Sequence, residues 1–443
     1  MLDPKFIKEN PDIVRASLLN RQDDVTMIEK FLELDQKRRN IIQEVEELKK
    51  SKNEFSNKIG KLIKEKMDVT SIKQDVSRIS EKITFLDAEL KEVKEQYQEI
   101  LDRIPNIPHV SVPIGKGSQN NTEIKKSGKI PKFSFKPRDH IELGQINDMF
   151  DFERGAKITG SAFPLYVGAG ARLERALFNF MLDVHTKKHG YKEIFPPFLV
   201  NRKSMRGTGQ LPKLEEDMYK LEGEDFFLIP TAEVPITNMH ADEVLIEEDL
   251  PIRYTAYTAC FRKEAGSYGK DTKGLIRVHQ FDKVEMVKFT RPEDSMNELE
   301  SLLGDAEDIL KRLDLPYRVL TLCTGDMSFA AHKCYDIELW APGTNKWLEV
   351  SSCSVFSDFQ ARRANIKYQP LDKTKKPMYV HTLNGSGVAL ARLVVALLEI
   401  HQNKNGSITL PKALRPYFGA KKITQMSSPR KVPEGGKRGS IKK

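Results

Sequence analysis

Between residues 31 and 104 the apolar positions repeat every seven residues. Leu34, Ile41, Leu48, Phe55 and Leu62 form one row; Phe31, Val45 and Ile59 form part of a second, interrupted by Arg38 and Lys52. After Met67-Asp68-Val69-Thr70 the pattern resumes without a fault, with Ile72, Ile79, Leu86, Val93 and Ile100 in one row and Val76, Ile83, Leu90, Tyr97 and Ile104 in the other. Two rows at heptad spacing predict coiled-coil helices. So short a break predicts an antiparallel hairpin, with Asp68 or Thr70 capping the second helix. At roughly 35 residues each, the helices would be about 50–55 Å long. A hairpin of this kind buries one narrow stripe, so it is expected to project as an arm, with the amphipathic segment Leu2–Leu19 packed at its base. Pro105 and Pro108 end it.

The pattern then changes. Polar residues 115–128 read as a linker. From about Phe133 to Phe418, helical and strand-like runs mix without a regular βαβ alternation, which predicts an α+β domain built on an antiparallel sheet. Ala169–Gly190 reads as a helix ended by glycine. Tyr191–Phe195, Phe226–Ile229, Val278–Val287, Tyr335–Leu339 and Lys346–Ser352 read as strands, and a helix is expected to open at Gly385. The predicted units are an arm (1–105), a linker (106–132), a mixed domain (133–419) and a basic tail without fixed structure (420–443).

Composition adds that the 443 residues suit a soluble globular protein, 39% hydrophobic and 30% charged, with a net charge of +9. Residues 420–443 hold eight basic groups and one acid, so the body is nearly neutral. Attraction to a polyanion must come from local patches. Cys260, Cys323, Cys334 and Cys353 form no C-x-x-C pair, which argues for reduced thiols in the cytoplasm and against structural zinc. No signal peptide and no apolar run of membrane-spanning length occurs. A P-loop and a dinucleotide-binding glycine motif are absent, and no histidine pair has metal-ligand spacing.

The informative chemistry lies in Phe261–Glu285, FRKEAGSYGKDTKGLIRVHQFDKVE. Arg262 and Glu264 are two residues apart and would share one face of a strand. After a glycine-bearing loop, Arg277, Phe281 and Glu285 would share a face of the returning strand. Lys263 would point to the opposite face. Lys283 and Lys288 are expected to face away from Glu285, leaving its carboxylate for a ligand. Arginines, carboxylates and an aromatic ring on one hairpin suit a polyanion that carries a planar ring, though a solvated face of weak ion pairs would use the same residues.

These residues resemble motif 2 of class II aminoacyl-tRNA synthetases, in the form found in the seryl family. Four other segments carry the same resemblance. Thr231-Ala232-Glu233-Val234-Pro235 is similar to the family's serine-binding loop. Glu349-Val350-Ser351-Ser352-Cys353-Ser354, with Asp358-Phe359-Gln360-Ala361-Arg362-Arg363, is similar to its ATP-site strand. Leu383-Asn384-Gly385-Ser386-Gly387 through Arg392 looks like motif 3, and Ala169–Gly190 with Pro196-Pro197 looks like motif 1. The arm fits the bacterial type of the family.

The resemblance implies a class II antiparallel catalytic domain that activates L-serine with ATP and Mg²⁺ and transfers it to tRNA(Ser). It leaves tRNA(Sec) open as a second acceptor. Arg262 would lie on the α-phosphate and the serine carboxylate, and Arg392 on the γ-phosphate. Phe281 would stack on adenine, with Arg277 near the phosphates or the opposite ring face. Glu264 would reach the adenine edge or the ribose. Lys263, Val278, Val350 and Ser351 complete the implied ATP set, and Glu349 and Ser352 would hold Mg²⁺. Thr231, Ala232 and Glu233 would receive the serine ammonium, with Glu285, Asn384 and Ser386 around its side chain. The arm would grip tRNA, a homodimer would form through motif 1, and no membrane or DNA partner is implied. A ligase acting on a carrier protein and an inactive RNA-binding scaffold are the competing readings; the intact arm opposes the first and the complete residue set the second.

Overall fold

A computed structural model describes residues 1–264 and 273–424. The arm helices are α1 (Thr26–Lys64) and α2 (Thr70–Arg103). The N-cap position is Val69, which offers no side-chain bond, and Asp68 just before it accepts from the Thr70 backbone N–H at 2.9 Å. Ile41, Val45, Leu86 and Val93 bury one another along the seam, and Lys37–Glu89 and Lys82–Glu44 pairs fix the antiparallel register. Further out the seam residues are only half-buried, as one stripe between two helices requires.

The arm's base is anchored differently. Leu2, Ile7, Val14 and Leu18 pack with Ile28, Phe31, Leu101 and Ile104, and this cluster continues into Met327, Phe329, Phe356 and Phe359 of the body. The N-terminal segment therefore packs where it was expected, and the arm's root shares a core with the catalytic domain.

That domain is built on an eight-stranded sheet. Its strands are β1 (Thr122–Ser127), β2 (Lys192–Glu193), β3 (Ile252–Phe261), β4 (Gln280–Thr290), β5 (Tyr317–Thr321), β6 (Lys333–Ala341), β7 (Lys346–Val355) and β8 (His381–Ala389). They run in the order β1-β5-β6-β7-β8-β4-β3-β2, antiparallel except for β2 against β3. The helices that place the site are α3 (His140–Ile146), α4 (Gly168–Lys187), α5 (Glu233–Asn238), α6 (Ser295–Arg312) and α7 (Leu390–Ile400). Leu177, Leu302 and Leu397 from α4, α6 and α7 join Val284 and Met286 of β4 in the main core. Alternation along β4 then turns Phe281, Lys283 and Glu285 to the other face.

Four expectations need correction. Residues 115–128 are not all linker, because Thr122–Ser127 pairs with β5 at the sheet edge. Gly385-Ser386-Gly387 does not open a helix; it lies inside β8, and the helix starts at Leu390. Gly385 is where it is because an added Cβ would sit 2.9 Å from the Cys353 sulfur on the neighbouring strand. Structure also continues beyond residue 419: Lys422–Ile423 pairs with Ile408–Thr409, while the rest of the expected unstructured tail, from residue 425, lies outside the described residues. Finally, Arg262 and Glu264 follow β3 and Arg277 precedes β4, so these groups sit on the hairpin's stems and not on its strands.

Candidate active site

The face of β4, β7 and β8 opposite the main core forms the floor of a cavity of about 500 Å³. Of the sequence-derived residues, Thr231, Glu233, Arg262, Glu264, Arg277, Val278, Phe281, Glu349, Val350, Ser352, Asn384, Ser386 and Arg392 all line it. Five implied or discounted residues behave otherwise. Glu285 is fully buried and meets the lining only through Lys283 and Asn384. Ala232 is buried beside the cavity and Ser351 turns away to donate to the Ser386 carbonyl at 2.6 Å. Lys263 lies over the Tyr219 ring, 5.9 Å from its centre, and is not part of the cavity lining. Lys283, discounted from sequence, lines the cavity and pairs with Glu285. It stands two residues from Glu285, which on a strand is the same face. Lys288 does face away, onto Glu298 at 2.8 Å.

Two β-bulges aim the side chains. One interrupts β6–β7 pairing between Glu349 and Ser351, the other β8–β4 pairing between Ser386 and Val388. An extra residue in one strand reverses the alternation beyond it. Glu349 and then Ser352 and Ser354 therefore face the cavity, as do Asn384 and Ser386 and then Ala389.

At one end of the cavity, Thr231 precedes the first turn of α5, where Glu233 begins the helix. The Thr231 hydroxyl accepts from the Lys283 ammonium at 2.9 Å. Glu233 accepts from Gln360 Nε2 at 2.7 Å, and burial raises its pKa to about 7 against the bond from Gln360, which favours the ionised form. Gln360 is itself held by the Thr382 hydroxyl at 2.7 Å. Its segment resembles the family's ATP-site strand, but only its position across the cavity wall identifies it as the partner that orients Glu233. Asn384 donates to Glu285 at 3.1 Å.

At the other end, the Arg262 guanidinium lies 5.4 Å from the centre of the Phe281 ring. The stems are tied by the Arg262 N–H on the His279 carbonyl at 2.9 Å. Glu264, in a left-handed conformation at φ 52°, pairs with Arg277 at 2.5 Å. Arg392, in the first turn of α7, donates to the Ile276 and Glu349 carbonyls at 3.0 and 2.9 Å and lies 3.4 Å from the Glu349 carboxylate. Asp336 stands opposite Ser352 in the β6–β7 register, and burial and the nearby Glu349 charge push its pKa well above the usual carboxylate range. The sequence reading missed Asp336; β6 pairing alone brings it here.

The cavity thus has a carboxylate-rich end suited to a small amine and an arginine-rich end beside an aromatic ring. Comparisons with known proteins identify the family. Residues 1–108 match the seryl-tRNA synthetase N-terminal domain, and residues 216–401 match the tRNA synthetase class II core domain (G, H, P, S and T). A serine–tRNA ligase of Listeria monocytogenes is 54% identical over 419 residues, 95% of this chain and 98% of the relative. The chain belongs to the seryl-tRNA synthetase family. The seryl-tRNA synthetase of Pyrococcus horikoshii, solved with ATP, superposes with a TM-score of 0.90 at 39% identity, over 96% of this chain and 100% of the other. The cytoplasmic enzyme of Naegleria fowleri, solved with AMP, gives 0.85 at 31% identity, over 96% and 99%. The class II antiparallel sheet with long N-terminal helices is accordingly the architecture of seryl-tRNA synthetases.

Proposed function

We infer how this cavity carries out the reaction of the seryl-tRNA synthetases. The chain is a serine-specific aminoacyl-tRNA ligase. ATP and L-serine condense to seryl-adenylate and pyrophosphate, and serine then passes to the 3′ end of tRNA(Ser). The observation that carries the reading is the convergence of Glu233, Arg262, Phe281 and Arg392 on one cavity, with the buried Glu285 paired to Lys283 and Asn384 of its lining.

Both reactants of the first step are anionic, so the protein's task is to neutralise charge and hold the attack geometry. Arg262 lies against Phe281, and its charge is felt at Glu233, where it favours the ionised form. Its planar fork suits the serine carboxylate and the α-phosphate together, and it lowers the repulsion between them as the carboxylate oxygen attacks phosphorus. Phe281 takes the adenine ring, and Arg277 and Glu264 hold the nucleotide beside it. Arg392 takes the terminal phosphate. Glu233 and Thr231 receive the serine ammonium; Glu285 and Asn384 receive its hydroxyl. Alanine in place of serine would forfeit the hydroxyl's hydrogen bonds to these groups, at about 1–3 kcal/mol, which supplies the discrimination.

Glu349 and Ser352 would hold Mg²⁺ together with the nucleotide phosphates. The oxygen-only donor set fits, and so does the elevated Asp336 carboxyl beside Glu349, which marks a place short of positive charge. Bound there, the ion would screen the phosphate oxygens. Among the described residues no cluster of three or more His, Cys, Asp or Glu could hold a metal on its own, in keeping with a site completed by ATP.

The arm is assigned to tRNA(Ser), α4 to a homodimer interface, and the cytoplasm as the place of action. No helix of the described residues is long and apolar enough to cross a membrane. Serine-dependent ATP–pyrophosphate exchange tests the activation step, and charging of tRNA(Ser) and tRNA(Sec) tests the acceptors. Exchange supported by another amino acid, or by none, would defeat the reading.

A further inference from the structure

The ATP end of the cavity depends on a short backbone segment, Leu275–Val278, that leaves the motif 2 loop and enters β4. It lies outside regular pairing, so something else must fix it. Two contacts from α7 do so. Arg392 donates directly to the Ile276 carbonyl at 3.0 Å. Seven residues along the same helix, Glu399 acts through an intermediary, His140.

His140 is 1% exposed and Glu399 is fully buried. The Glu399 carboxylate accepts from the His140 backbone N–H at 3.0 Å and meets its Nδ1 at 3.1 Å. Its other oxygen accepts from the Gly343 and Thr344 backbone at 2.8 and 3.0 Å. The carboxylate therefore cannot rotate away. A carboxylate only accepts, so Nδ1 carries the proton and Nε2 keeps its lone pair. That lone pair receives the Leu275 N–H at 3.2 Å. The neighbouring Gly274 has φ +71°, and a Cβ there would fall 2.1 Å from His140 Nε2. The backbone thus comes against the imidazole so closely that only glycine fits.

We propose that His140 is a positioning residue of the nucleotide site: held as its Nδ1–H tautomer by Glu399, it pins Leu275 and so sets Arg277 and Val278 opposite Phe281. The proposal rests on the assignment of these three residues to ATP. His140 touches no reacting atom; it acts through the backbone it holds.

The test is pyrophosphate exchange by the full-length wild type, His140→Phe and His140→Gln, with KM for ATP and for serine measured separately. Glutamine can present its carbonyl oxygen where Nε2 stood; phenylalanine cannot accept. His140→Phe should raise KM for ATP about ten-fold, the scale of one lost hydrogen bond, with KM for serine within about two-fold of wild type, and His140→Gln should recover most of the difference. Equal shifts in both KM values, or lower thermal stability with unchanged KM for ATP, would overturn the proposal. If His140→Phe does not fold, the wild-type ¹⁵N histidine spectrum and the KM values of His140→Gln decide. Nε2 must be unprotonated and the glutamine variant near wild type for ATP; an Nε2–H tautomer would refute it. Failure of wild type itself to show serine-dependent exchange would instead defeat the assignment of the cavity.

Discussion

Lys283 and Glu285 stand two residues apart on β4, and their charged ends meet in the buried wall of the cavity, 5% and 0% exposed. This end of the cavity is therefore compensated in charge by the protein itself. Lys283→Met should cost about 3–5 kcal/mol, because it leaves Glu285 buried without a counter-charge. Adding Glu285→Gln should restore most of that stability without restoring exchange. Urea unfolding and exchange rates on the two variants separate the effects; if the single variant unfolds with wild-type stability, the pair is not the compensating unit.

Arg262→Ala is expected to reduce exchange by at least about 10³-fold, since it removes the group proposed to serve both the serine carboxylate and the α-phosphate. Arg262→Lys should recover little, because an ammonium lacks the fork and cannot lie flat over Phe281 in the same way. Single-turnover adenylate formation is the measurement, with wild-type-like rates excluding the role.

Glu233 gives a pH signature. Its pKa of about 7 in the folded protein lies above the ordinary 4.5, so between these values the folded chain holds a proton that the unfolded chain has lost. Its contribution is complete below pH 4.5 and is lost as pH rises through 7. Glu233→Gln should therefore gain about 3 kcal/mol relative to wild type between pH 5 and 8. A serine ammonium beside Glu233 favours its ionised form, so binding near pH 6 should release up to about one proton, and near pH 8.5 none. Calorimetry in buffers of different ionisation enthalpy measures this directly.

The arm cannot be removed whole. Ile28, Phe31, Leu101 and Ile104 share a core with Phe329 and Phe356, which line the cavity. Deleting residues 27–104 should therefore damage activation as well as charging. Replacing only residues 45–81 with a short glycine turn keeps that base. This variant should keep exchange within about two-fold while charging falls by about 10²-fold or more, as loss of backbone contacts to RNA requires. Equal loss of both activities would show that the outer arm is not the RNA grip.

Much of this molecule was legible in one dimension. Heptad spacing specified the arm, because a two-helix seam has only the sequence period with which to bury itself. The glycine-bearing hairpin with Arg262, Arg277 and Phe281 pointed to its ligand class, since charge and aromaticity are properties of residue type. The words serine and tRNA came from resemblance, not from spacing. Tertiary structure decided what depends on which chain segments meet. A bulge after Glu349 turned Ser352, not Ser351, to the cavity, and a bulge is a fact of strand pairing, not of residue order. Asp336 and Gln360 entered the site only through β6 and across the cavity wall, and His140 through contacts with Leu275 and Glu399, 135 and 259 residues away. Periodicity reports which face a side chain takes; it carries no information about what stands opposite, and that is where charge compensation and backbone positioning are settled.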